Sequence, residues 1–151
     1  MKSISPFLWF DDDLEDAIEH YSGIFPDAKV HNLVRGPEGT AMMADFELAG
    51  QAFKGLNGGP IFPFTEAVSF FVECDDQAEV DRLWTALTAD GGEESQCGWL
   101  KDKFGLSWQI VPIEFLEMVA NGEPDQVERT MAAMMTMQKF DVAALRTAYA
   151  G

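Results

Sequence analysis

The chain repeats itself, and that repeat constrains its fold more than any other feature. An apolar stretch, an acidic cap and an amphipathic helix near the N-terminus recur 63 residues further on. Asp13 then falls on Asp76, Ala17 on Val80, Tyr21 on Trp84 and Ile24 on Leu87. A shift of 55 residues superposes the closing hairpins, placing Gly50 on Gly105, Phe53 on Trp108 and Leu56 on Val111. Cap, buried face and turn glycine coincide together. The first unit reads as a strand over 4–10, a helix carrying Leu14, Ala17, Ile18, Tyr21 and Ile24, and strands over 29–35, 40–48 and 53–57. The second repeats the order with a strand over 68–74, a helix on Val80, Leu83, Trp84 and Leu87, a weak strand over 93–96, and strands over 97–101 and 106–111. Pro26 closes the first helix and Gly91-Gly92 the second.

The fold class is therefore α+β: two βαβββ modules forming a concave mixed sheet, with a C-terminal helical extension. A single domain is expected over 1–151, with module one at about 1–58, module two at about 66–112 and the helical tail at 113–151. Gly58, Gly59, Pro60 and Pro63 mark the break between modules. In the tail, faces are expected at Ile113, Leu116 and Val119, at Val127, Met131, Met134 and Met135, and at Val142, Leu145 and Tyr149. The methionine stripe suits an uneven surface, either within the chain or at a dimer contact.

Apolar residues make up 47% of the chain, which supplies a core. Asp and Glu number 26 against 10 Lys and Arg, giving a formal charge of −16. Such a surface repels phosphate backbones and anionic lipid heads, so nucleic acid and membranes are excluded as partners. The first apolar run reaches Asp11 too soon for a signal peptide, and a cytoplasmic location is expected. Cys74 and Cys97 form no CxxC pair and read as buried, reduced thiols.

The duplicated pattern resembles the vicinal oxygen chelate superfamily, which includes glyoxalases, bleomycin-resistance proteins and extradiol dioxygenases. Within it, FLWFDDDLEDAIEHYSGIFPDA, LNGGPIFPFTEAVSFFVECDDQAEVDRLW and CGWLKDKFGLSWQIVP look like the PhnB-like family, often labelled 3-demethylubiquinone-9 3-methyltransferase. The tail RTMAAMMTMQKFDVAALRTAYAG fits as well. Metal-dependent members of that superfamily send one ligand from each opening strand and each closing strand. Counting fifteen residues back from Tyr21 and Trp84, and four on from Gly50 and Gly105, gives Pro6, Ser69, Lys54 and Gln109. None is His, Asp, Glu or Cys, so no metal and no cofactor is expected. His20 and His31 stand outside the set. A methyltransferase of the nucleotide-binding type carries a Gly-rich strand-to-helix turn, and here that turn is FDDDLED.

What the resemblance leaves is a cleft. Alternation puts Leu8 and Phe10 beside Pro6, Phe71 and Glu73 beside Ser69, Leu56 beside Lys54, and Ser107 and Val111 beside Gln109. Leu8, Lys54, Ser69, Phe71, Trp99 and Gln109 are the candidate binding residues, with Trp99 as a stacking surface. The expected partner is a small apolar or aromatic molecule, and the expected assembly a homodimer. A glyoxalase-type lyase or dioxygenase and the methyltransferase of the family label stand as the alternatives.

Overall fold

A computed structural model describes residues 3–151. The chain forms two compact units, one ending at Phe64 and the other running from Thr65 to Gly151. The boundary falls just beyond the Gly/Pro-rich break. The tail belongs to the second unit.

The first unit contains β1 (Phe7–Phe10), α1 (Leu14–Ile24), β2 (Lys29–Arg35), β3 (Ala41–Leu48) and β4 (Gln51–Asn57). Its four-stranded sheet has the order β1-β4-β3-β2. β1 lies parallel to β4, and the other pairs are antiparallel. The second unit contains β5 (Ser69–Cys74), α2 (Gln77–Thr88), β6 (Glu93–Glu94), β7 (Trp99–Lys101) and β8 (Ser107–Pro112). Its sheet has the equivalent order β5-β8-β7-β6, with β5 parallel to β8. Each half is thus a βαβββ module with a mixed sheet. The helices α3 (Ile113–Asn121), α4 (Pro124–Met134) and α5 (Val142–Ala150) follow. Among the described residues no helix is long and apolar enough to cross a membrane.

The apolar face of α1, with Leu14, Ala17, Ile18, Tyr21 and Ile24, is buried as its spacing requires. Gly55 permits the close approach of this helix to β4. A Cβ there would lie 2.5 Å from Leu14 Cδ1. In α2 the buried face is Val80, Leu83, Trp84 and Leu87, again at the expected positions.

The two helix starts differ. Asp76 caps α2 with its carboxylate, accepting from Glu79 N at 2.9 Å. Asp13, expected to do the same for α1, makes no side-chain cap bond. Asn57 at the end of β4 takes its place. Its Oδ1 accepts from Leu14 N at 2.9 Å, and its Nδ2 donates to Ala41 O at 2.9 Å. One amide thus ties helix, closing strand and β3 together.

The β7–β8 turn is organised by Asp102, which is 2% exposed. Its Oδ1 accepts from Phe104 N and Leu106 N, and its Oδ2 from Trp108 Nε1 at 2.8 Å. This is an Asx-type turn with a buried indole as a third donor.

The tail docks through Gln77, whose Nε2 donates to Phe140 O at 3.0 Å while its Oε1 accepts from Val142 N at 2.8 Å. Phe140 also lies over Gly98, where a Cβ would sit 2.3 Å from the ring and φ is +82°. Only glycine meets both demands there. Asp141 caps α5 as its position predicts. Two tail faces differ from expectation. α3 buries Phe115 and Met118, not Ile113, Leu116 and Val119, because it continues from β8 without a loop and Phe115 packs on Phe140. α4 is centred on buried Thr130, leaving Met131 and Met135 exposed.

Cys74 is fully buried at the end of β5, and burial together with the Glu79 charge pushes its thiol up to about 12. Cys97, expected to be buried, is partly exposed in a left-handed turn with φ of +58°.

Three outcomes follow from these contacts. Asn57→Ala should lower unfolding free energy by about 1–2 kcal/mol in urea melts, whereas Asp13→Ala should cost only a few tenths. Asp102→Ala strands a buried indole N–H and two backbone N–H groups, and should cost on the order of 2–4 kcal/mol. An aromatic disulfide reagent at about pH 8 should titrate Cys97 alone in the native protein, and both thiols in denaturant.

Candidate functional site

Residues that pair across adjacent strands point to one side of the sheet. In the second sheet Phe71 pairs with Gln109, Gln109 with Trp99, and Ser69 with Ser107. Ser69, Phe71, Trp99 and Gln109 therefore share one face. The opposite face carries Leu100, Trp108 and Ile110, which are buried. Trp108 pairs with Leu100 and with Phe70, whose ring it packs against at 5.4 Å.

On the first face Gln109 Nε2 donates to Ser69 Oγ at 2.9 Å. The two residues stand on neighbouring strands of the same sheet. The bond orients the amide and leaves its oxygen turned to other donors. Phe71 beside it is 48% exposed, and Trp99 is half-buried. A fixed amide–hydroxyl pair thus stands beside two aromatic side chains.

In the first sheet Lys54 pairs with Phe7, and Leu8 with Gly55. Lys54 is exposed, and its ammonium bonds Asp45 Oδ1 at 2.5 Å. Leu8 lies on the other face. It is 6% exposed, on the same side as the Gly55 position that abuts Leu14 of α1. Phe10 is buried there too. The expected placement of Leu8 and Phe10 on the open face is thus corrected, and Phe7 and Trp9 occupy it instead.

The reason is one residue of loop. The connector from β1 to α1 is Asp11-Asp12-Asp13, whereas that from β5 to α2 is Asp75-Asp76. Counting back an equal distance from each helix slips the first strand by one. Sheet pairing gives the true equivalence: Phe7 opposite Lys54 corresponds to Phe71 opposite Gln109. The counterpart of Ser69 is then Ser5, not Pro6.

The donor positions are accordingly Ser5 and Lys54 in one unit, and Ser69 and Gln109 in the other. They offer hydroxyls, an amide and an ammonium. Among the described residues no three His, Cys, Asp or Glu side chains gather into a group that could hold a metal ion. This donor set does not fit the divalent metal of the superfamily's metal-dependent members.

A pocket of about 120 Å³ opens in the second unit beside this face, lined by Glu66, Trp99, Lys101 and Ser107 among others. Lys101 is ion-paired with Glu66. The hydrogen bond between them holds the Glu66 carboxyl below its ordinary value and raises Lys101. Sequence reasoning placed Ser107 only as a companion of Gln109, and did not single out Lys101 or Glu66. The KDKFG turn around Asp102 was the available signal for this region. A second cavity, of about 380 Å³, lies between the starts of α2 and α5. Its one guanidinium, Arg146, is held by both Glu114 oxygens at 2.5 and 2.6 Å.

The family model described as 3-demethylubiquinone-9 3-methyltransferase matches residues 2–111. A PhnB protein from Bacillus cereus is 30% identical, with a TM-score of 0.68 over 74% of this chain and 99% of its own. Protein PA1353 from Pseudomonas aeruginosa is 20% identical, with a TM-score of 0.59 over 74% of this chain and 98% of its own. The fosfomycin resistance protein FosX from Listeria monocytogenes, solved with Mn(II) and sulfate, is 17% identical, with a TM-score of 0.55 over 73% of this chain and 91% of its own. The last two likenesses concern the fold. No curated protein matches the chain. The duplicated βαβββ sheets, the matched family model and the Bacillus cereus relative together place the chain in the PhnB-like family described as 3-demethylubiquinone-9 3-methyltransferase, within the vicinal oxygen chelate superfamily.

Proposed function

We propose that this protein binds a small apolar or aromatic molecule on the open face of its second sheet, without a metal. The observation that carries the reading is the Gln109–Ser69 hydrogen bond, set between Phe71 and Trp99 on that face. Folding leaves few reasons to keep a part-buried amide and hydroxyl beside exposed aromatic surface. Each lost or imperfect bond there costs about 1–3 kcal/mol, and a large exposed Phe gains nothing from burial. A ligand with an apolar body and a donor for the Gln109 amide oxygen uses both features.

Metal independence is part of the proposal. It is supported by the residue types at the donor positions, where Lys54 in particular places an ammonium bonded to Asp45. FosX, which shares the fold, was solved with Mn(II). The present chain is read as having diverged from metal use at those positions.

The methyltransferase of the family description is less well supported. Both strand-to-helix connectors are runs of aspartate. The sheets are four-stranded and mixed, without the Gly-rich turn that seats a nucleotide. Calorimetric titration with S-adenosylmethionine tests it, and saturable binding would restore that activity as the leading reading.

The binding proposal is tested with benzyl alcohol as a neutral aromatic probe, followed by ¹H–¹⁵N spectra. Shifts are expected at the Trp99 indole N–H and the Gln109 side-chain amide. Gln109→Leu should keep the melting temperature within a few degrees and weaken the probe about tenfold, the worth of one hydrogen bond. Shifts confined to residues elsewhere would overturn the assignment.

A further inference from the structure

Ser107 is 1% exposed, and its hydroxyl has no hydrogen-bond partner among the described residues. A buried hydroxyl without a partner is rare in folded proteins and calls for one. Ser107 lines the pocket of about 120 Å³ together with Glu66, Glu93, Glu94, Trp99 and Lys101. Strand pairing runs from Glu93 to Lys101, from Lys101 to Ser107, and from Ser107 to Ser69. The pocket is therefore continuous, along one row of the sheet, with the Ser69–Gln109 pair.

Its charge is lopsided. Two carboxylates, Glu66 and Glu93, meet one ammonium on this row. Glu94 pairs with Leu100 on the helix side and there accepts from Trp84 Nε1 at 2.7 Å, and Glu66 pairs with Lys101. The Glu93 carboxylate makes no hydrogen bond among the described residues, although it lies near enough to Lys101 to act on its charge. Lys101 is turned to Glu66, which leaves both the Glu93 carboxylate and the Ser107 hydroxyl without a donor among the described residues.

We infer that this pocket receives the ammonium group of a small amine whose apolar or aromatic body lies along Trp99 and Phe71. The inference rests on the reading of that face as a binding platform and adds the ligand's charge. An ammonium carries three donors and no acceptor, which suits two carboxylates and a serine oxygen. The indole of Trp99 favours the same sign of charge. A carboxylate or phosphate ligand would instead meet Glu66 and Glu93, against one lysine already paired. The charged groups and the hydroxyl gather in the pocket while the aromatic surface lies beside it, so the ammonium enters the pocket and the ring lies along Trp99 and Phe71.

Three probes of one shape separate the possibilities: benzylamine, benzyl alcohol and benzoate, each titrated at neutral pH and followed at the Trp99 indole and Ser107 amide signals. Benzylamine should bind about tenfold tighter than benzyl alcohol, the worth of one charge-assisted hydrogen bond, and benzoate should bind weakest. Glu93→Gln should bring benzylamine down toward benzyl alcohol, and Ser107→Ala should do so in part. Equal affinity for benzylamine and benzyl alcohol, or tighter binding of benzoate, overturns the amine inference and leaves the aromatic platform standing. Binding by none of the three overturns both.

Discussion

Each half of this molecule depends on a parallel pairing between its first strand and its last. β1 lies beside β4, and β5 beside β8, although the partners are separated in sequence by a helix and a hairpin. A parallel pair cannot be closed by a tight turn, so a crossover is required. The helix supplies it and covers one side of the sheet. The other side carries Ser69, Phe71, Trp99 and Gln109 in the second unit. The pairing also fixes which residues stand next to one another. Gln109 meets Ser69 because β8 lies in register with β5, and Lys54 reaches Asp45 because β4 pairs with β3. The polar groups of each face are a direct consequence of strand register.

The two modules share this frame and diverge in how they secure it. The first uses Asn57 to cap its helix from the closing strand, and Gly55 to let Leu14 in close. The second uses its own Asp76 as cap, buries Asp102 beneath its last turn and adds the tail, held by Gln77. Their open faces diverge in the same manner. Lys54 and Asp45 neutralise one another in the first unit. In the second a neutral amide–hydroxyl pair adjoins a pocket with unbalanced charge.

Much of this was readable before any coordinates. The helix faces followed from their spacing, and the family from motifs such as CGWLKDKFG. Ser69, Phe71, Trp99 and Gln109 fell on one face because period-two alternation survives in short strands. Leu8 was misplaced because alternation has no memory of loop length. One extra aspartate between β1 and α1 inverts the face of every residue in the strand. The cap from Asn57 was invisible for a different reason. It is a contact over 43 positions in sequence, and nothing local distinguishes that asparagine from any other turn residue. Ser107 could be counted onto a face, but its lack of a partner is a property of packing. The tail faces shifted because α3 inherits its orientation from β8, which no helical periodicity records.

Charge distribution gives the net value of −16 a local meaning. Nearly every described basic side chain is already engaged. Lys29, Arg35, Lys54, Arg82, Lys101, Lys139 and Arg146 each pair with a carboxylate. Arg129 donates to the carbonyls of Ala148 and Tyr149, and Lys103 stands over the Phe104 ring. Exposed ion pairs of this kind contribute only about 0–1 kcal/mol each, so they hold the fold weakly. They do, however, consume the positive charge. The remaining carboxylates set the potential that an approaching molecule meets, and that potential favours cations and neutral molecules over anions. A binding face in such a chain gains selectivity from where an uncompensated carboxylate lies beside apolar surface. In the second unit that place is the row from Glu93 to Ser69, next to Trp99.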